Sequence, residues 1–136
     1  MTSTNGNSDA SRKVALSFFE NLVAGRYAAA FELLAPDVAF EIIAPPPYGR
    51  IMDRAGVIAF LTEIMGPAFS APLTITVTNV IAEGERVAVE TRAKSTTSRG
   101  KPYENRLHYS IAVRNGQIVE LREYLDSAAL LAVFAN

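Results

Sequence analysis

Apolar positions in the first part of the chain recur at helical spacing, whereas those in the second half alternate. Val14, Phe18 and Leu22, flanked by Ala15, Phe19 and Val23, form one wide apolar stripe. It predicts a helix that opens at Ser8 or Asp9, either able to cap it, and closes at Ala24-Gly25. A short second helix places Tyr27, Phe31 and Leu34 inward and stops at Pro36. Val38 to Ile43 reads as a strand, followed by Pro45-Pro46-Pro47 as a stiff extended loop. Asp53 is placed to cap a third helix that turns Val57, Phe60, Leu61 and Ile64 inward before Gly66-Pro67.

From Leu73 the period changes to two. Residues 73–82, 86–96, 103–113 and 117–124 read as strands, with turns at Glu83-Gly84 and Asn115-Gly116. Asn-Gly between alternating runs is the strongest hairpin signal in the chain. Ser127 is placed to cap a short last helix, 128–134. Helices first and strands afterwards define an α+β chain. About three helices cover one face of the sheet and enclose a cavity, and the other face meets water or a partner. Residues 1–8, rich in Ser, Thr, Asn and Gly, read as a disordered tail before a single domain over 9–136.

Composition removes several classes of function. The formal net charge is −1, which gives no electrostatic footprint for nucleic acid or an anionic membrane. There is no cysteine, hence no thiol nucleophile, and His108 is the only histidine, so one chain cannot build a multi-histidine metal site. No apolar run reaches the roughly 18 residues that span a bilayer. The first residues lack the apolar core of a signal peptide, so the expected location is cytoplasmic.

The last hairpin holds the candidate chemistry. If Asn115-Gly116 is a plain two-residue turn, Arg114 pairs with Gln117, and counting outward sets His108 across from Glu123. A carboxylate beside an imidazole stabilises the imidazolium and fixes its tautomer, so in an apolar pocket the pair supplies a general acid and base. On a wet face the same pair does nothing chemical. Alternation leaves the inner face open. One face carries Arg106, His108, Ser110, Leu121, Glu123 and Leu125; the more hydrophobic one carries Leu107, Tyr109, Ile111, Ile118 and Tyr124, with Arg122 and Asp126. Glu90 and Arg92 share a face of an earlier strand and read best as a solvated ion pair.

Phe18-Phe19-x-x-Leu22-x-Ala24-Gly25, Leu33-Leu34-Ala35-Pro36-Asp37-Val38, and the run from Tyr103 through Asn115-Gly116 to Asp126 together resemble the SnoaL-like polyketide cyclase and ketosteroid isomerase superfamily. The resemblance implies the nuclear transport factor two fold: a cone-shaped, curved, largely antiparallel mixed sheet wrapped around the N-terminal helices. It covers most of the chain beyond residue 10. The isomerase base position falls near Ile42 and the isomerase tyrosine position at Phe18, so the usual steroid-isomerase groups are missing. The Arg-x-Asp of limonene epoxide hydrolase-like members is also missing, because Thr91-Arg92-Ala93 stands there.

Polyketide cyclases of this kind place a histidine and an acid on the last two strands. The resemblance therefore implies His108 and Glu123 as catalytic residues in the cavity, with glutamate in place of the usual aspartate. Arg106, Tyr48, Phe18, Ile42, Leu121 and Leu125 are the implied substrate contacts. If the other face lines the cavity, Tyr109, Arg122 and Asp126 replace them. The implied activity is a cofactor-independent, metal-free isomerase, cyclase or dehydratase acting on a small hydrophobic carbonyl-containing or cyclic metabolite. The implied assembly is a homodimer through the free sheet face. A non-catalytic small-molecule binder and a dimerisation module are the alternatives.

Overall fold

The computed structural model describes residues 4–135. Helix α1 (Thr4–Val23) begins ahead of Ser8, and α2 spans Tyr27–Glu32. Of the expected tail, residues 1–3 lie outside the described residues, while 4–8 belong to α1. Ser8 does not cap the helix. Its Oγ accepts a hydrogen bond from Gly84 N at 2.9 Å, tying α1 to a distant strand turn.

Strand β1 (Leu34–Ile43) starts earlier than its apolar run, because Leu34 pairs with Ile118 instead of ending α2. The proline segment is a tight turn rather than an extended loop: Tyr48 N donates to Pro45 O at 2.9 Å, and the Pro46–Pro47 bond is cis. A short strand, β2 (Arg50–Met52), follows. Asp53 caps α3 (Arg54–Phe60) as expected, its carboxylate accepting from Gly56 N at 2.8 Å. The helix then widens into a π turn, Leu61–Met65, and ends in the short α4 (Gly66–Ala68). The wider turn rotates the apolar stripe by one position. Ile64 is left 46% exposed, and Met65 takes the inward place.

Strands β3 (Thr74–Glu83), β4 (Arg86–Thr96), β5 (Pro102–Arg114) and β6 (Gln117–Leu125) match the period-two reading closely. Helix α5 (Ser127–Phe134) closes the chain, capped by Asp126 rather than Ser127. The six strands form one open sheet in the order β2-β1-β6-β5-β4-β3. Among the described residues β1 pairs in parallel with β6 and the other pairs are antiparallel, so the sheet is mixed.

The inner face packs on α1 and carries the core: Val87, Val89, Ile111, Ile118 and Leu121 are at most 2% exposed, with Phe18 of α1 among them. Each such side chain contributes about 1.5–3 kcal/mol when fully buried. Among the described residues, no helix is long and apolar enough to cross a membrane.

Candidate functional site

The last hairpin turns as its sequence demands. Asn115 and Gly116 both have positive φ, 53° and 76°, the geometry that matches the twist of paired strands. Arg114 pairs with Gln117 and Val113 with Ile118, as a plain turn predicts. Then the register shifts: Ala112 pairs with Glu120, leaving Val119 as an extra residue on β6. The cause is visible in the core. Ile118 and Leu121 are both fully buried though three residues apart, which strict alternation cannot deliver. Val119 absorbs the odd step.

Beyond this bulge every β6 residue has moved by one position. Tyr109, not His108, stands across from Glu123, and His108 stands across from Tyr124. The expected His108–Glu123 neighbours are therefore on opposite faces of the sheet. His108 is exposed in an outer groove of about 470 Å³ with Glu90, Arg92, Arg106, Tyr124 and Leu125. Its ring meets that of Tyr124 edge-on at 6.4 Å. Arg106 thus faces away from the cavity, while Leu125 stands across from Leu107 and packs against the core without lining the cavity. Leu121 is core, Tyr48 sits in the proline turn, and neither lines the cavity. Phe18 and Ile42 do line it. Arg122 is also outside, paired with Glu120 at 2.6 Å and Glu41 at 3.8 Å, and Asp126 is occupied in capping α5. Glu90 and Arg92 are both exposed, and Glu90 accepts from Asn79 rather than pairing with Arg92.

The inner cavity measures about 110 Å³. Its walls are apolar, drawn from α1, α3, the π turn and the inner sheet face, with Phe18, Phe19, Phe40 and Phe60 prominent. Arg50 holds Phe60 from behind, its guanidinium 4.6 Å from the ring centre. Three polar side chains break this lining: Tyr103, Tyr109 and Glu123.

Glu123 lies on a central strand, between Ile42 of β1 and Tyr109 of β5. Burial pushes its carboxyl up to about 7, and a hydrogen bond from the Tyr109 hydroxyl offsets part of that rise. Tyr109 is itself buried, its ring 4.8 Å from that of Phe19. Burial and the adjacent Glu123 hold its phenol well above the ordinary value. Thr91 Oγ1 approaches the same phenol and lowers it slightly, without forming a well-shaped hydrogen bond, and has no other partner among the described residues.

Tyr103 is fixed from both sides. Its ring sits 5.6 Å from Phe69 and 5.9 Å from Phe134, and its hydroxyl accepts from Asn105 Nδ2 at 2.8 Å. Buried Asn105 is held in turn by Asp126, whose N–H donates to Asn105 Oδ1 at 3.0 Å. The hydroxyl therefore spends its acceptor capacity on Asn105 and keeps its own proton for whatever enters the cavity. Burial keeps this phenol protonated, with its pKa raised. One base poised near neutrality and one fixed O–H donor in an apolar space are the parts needed for proton abstraction beside a carbonyl.

The residues that sequence reasoning missed are Tyr103 and Asn105. The signal for the correct face was present, because the more hydrophobic side of β5 is the inner side.

A family model, the SnoaL-like domain, matches residues 15–121. No curated protein matches the chain in sequence. Among solved structures the chain is similar to IdmH from Streptomyces antibioticus, described as a candidate polyketide cyclase. The two share 26% identity over 93% of this chain and 99% of that one, with a TM-score of 0.75. TerC, co-crystallised with polyporic acid, shares 18% identity over 93% and 99% of the two chains at a TM-score of 0.79. Bal32a, from a soil-derived mobile gene cassette, shares 14% over 94% and 98% at 0.84. The last two likenesses show the fold.

Proposed function

Because the chain belongs to the SnoaL-like domain family, we propose that it is an acid–base enzyme of cyclase or isomerase type, acting on a small hydrophobic carbonyl compound in the inner cavity. The observation that carries this reading is the Glu123 carboxyl, raised to about 7 in an apolar cavity lined by two phenols. That value makes the carboxylate a far stronger base than a solvated glutamate while leaving it substantially ionised near neutral pH.

Glu123 takes the proton from the carbon next to the substrate carbonyl. The C–H electron pair moves into the new carbon–carbon double bond, and the oxygen gains charge. The free Tyr103 proton meets that oxygen, as a fixed donor in a water-poor site. Glu123, now protonated, returns the proton to another carbon; or the enolate carbon adds to a second carbonyl carbon of the same molecule, whose π pair moves onto its oxygen and takes the proton from Glu123. Tyr109 holds the carboxylate in place. IdmH, as a candidate polyketide cyclase, and TerC, crystallised with polyporic acid, support a small-molecule role for this fold.

Exchange of the α-protons of butanone in deuterated water, followed by proton NMR, tests the assignment. Glu123→Gln is expected to lower the catalysed rate about 100-fold or more. An unchanged rate removes the base, and retained ketone binding would then leave a non-catalytic binder. Pairing of two copies through the outer sheet face is a separate proposal carried over from the family resemblance. Sedimentation velocity checks it, and a monomer at every concentration overturns it.

A further inference from the structure

The inner cavity is too small to be the whole binding site. At about 110 Å³ it falls below the ~150 Å³ that accommodates benzene and well below the ~300–1,000 Å³ usual for small-molecule sites. A second apolar space of about 500 Å³ lies directly outside it, between α1–α2 and the segment from the π turn to β3. The two share a wall: Leu22, Leu61, Met65, Leu73 and Ile75 border both. Among the described residues the outer space has no charged group in its lining, and it includes Val23 and Tyr27, 48% and 49% exposed. Those two apolar surfaces gain nothing from water.

We propose that this outer space is a tail-binding subsite, and that the ligand is an uncharged, elongated molecule whose carbonyl end reaches Glu123 while its apolar body passes Leu61 and Met65 into the outer space. The proposal rests on the reading of Glu123 as the base. Three observations favour one continuous ligand over two. The dividing wall is made of side chains, and Met65, unbranched and on the π turn, can swing without a backbone shift. Together the two spaces reach the usual size of a ligand site. A charged tail is disfavoured because nothing in the outer lining could pair with it. The groove on the other side of the sheet is unsuited to the same tail, being lined by Glu90, Arg92, Arg106 and His108.

The test uses the full chain and straight methyl ketones from butanone to nonanone, with nonanoate as the charged control, read by calorimetry. Affinity is expected to rise about fourfold per added methylene, and nonanoate is expected to bind about tenfold or more weaker than nonanone. Ala71→Trp fills the outer space from an exposed position that does not border the inner cavity, so it should flatten the series and leave butanone unchanged. Thr62→Trp repeats this from the other side if the first variant fails to fold.

A flat series in the wild-type protein, or a gradient that survives both tryptophans, overturns the subsite. If the series is flat while butanone exchange still depends on Glu123, the subsite alone is wrong. If the gradient stands while Glu123→Gln leaves exchange untouched, the base assignment alone is wrong.

Discussion

On the inner face of the β5–β6 hairpin Tyr109 stands across from Glu123; on the outer face, one residue away along each strand, His108 stands across from Tyr124. Both faces carry an acid, an aromatic and groups able to move protons. Only the inner face shields them, with Tyr103 and Tyr109 buried and Glu123 half-buried. There Glu123 is raised to about 7 by burial, while outside His108, Arg106 and Glu90 remain exposed in an open groove. The chemistry of this hairpin therefore depends less on which residues it contains than on which side of the sheet each is turned to. That is decided by buried Leu121, which holds the odd step at Val119, the single unpaired residue in the β6 bulge.

The harshest way to break the contrast is Leu121→Ala, which removes the buried side chain that holds the odd step at Val119. Urea denaturation should show a loss of about 2–5 kcal/mol, the scale of emptying a large core position. A variant as stable as the parent would show that Leu121 does not hold the inner face. Deleting Val119 itself should spare the faces, because Ile118 and Leu121 then stand two residues apart and keep Val113 and Ile111 as partners.

Next in size is the kinetic contrast. In the butanone exchange assay His108→Ala should leave the rate unchanged, where Glu123→Gln loses about 100-fold. Equal losses would erase the distinction between the faces.

The third effect concerns stability and pH. Glu123 is raised from 4.5 to about 7 in the folded protein. Its favourable linkage is therefore complete below the unfolded value near 4.5 and is lost as pH rises through 7, where a buried charge must be carried. Glu123→Gln should be more stable than the parent by about 1–3 kcal/mol at pH about 8, with the difference vanishing near pH about 4. Chemical denaturation at the two pH values measures this, and a constant difference would count against the buried carboxyl.

Smaller again, Tyr109→Phe removes the hydrogen bond that lowers Glu123. The rising limb of the pH–rate profile should then move to higher pH by up to about one unit. On the outer face, Arg106→Ala should change stability by no more than about 0.5 kcal/mol.

Much of the fold was legible because it rests on local rules. The limits of β4, the Asn115-Gly116 turn and the Asp53 cap follow from alternation, φ preference and side-chain capping, each settled within a few residues. What escaped depends on partners far along the chain. The early start of β1 exists because Leu34 finds Ile118, and the π turn puts Met65 where an ideal helix would put Ile64. Counting outward from the turn placed Glu123 beside His108, since no local rule announces a bulge. Its one trace in the sequence is Ile118 and Leu121, two apolar residues spaced by three inside a period-two run. The site was half legible for the same reason. Glu123 lines the cavity where the resemblance put it, but His108, expected beside it, stands on the other face.

The parallel pairing of β1 with β6 sets Ile42 against Glu123. Two segments separated by most of the chain must meet before that strand has both neighbours, and such long-range closure is the slow part of folding in sheet proteins. The side of the cavity formed by Phe40, Ile42 and Glu123 depends on it. A chain emerging from the ribosome would have α1, α2 and the β3–β4 hairpin available early, but no cavity until β6 had been synthesised and had inserted between β1 and β5. The proposed base arrives on the last strand to be made, so a truncated or stalled chain would expose apolar strands without gaining any activity.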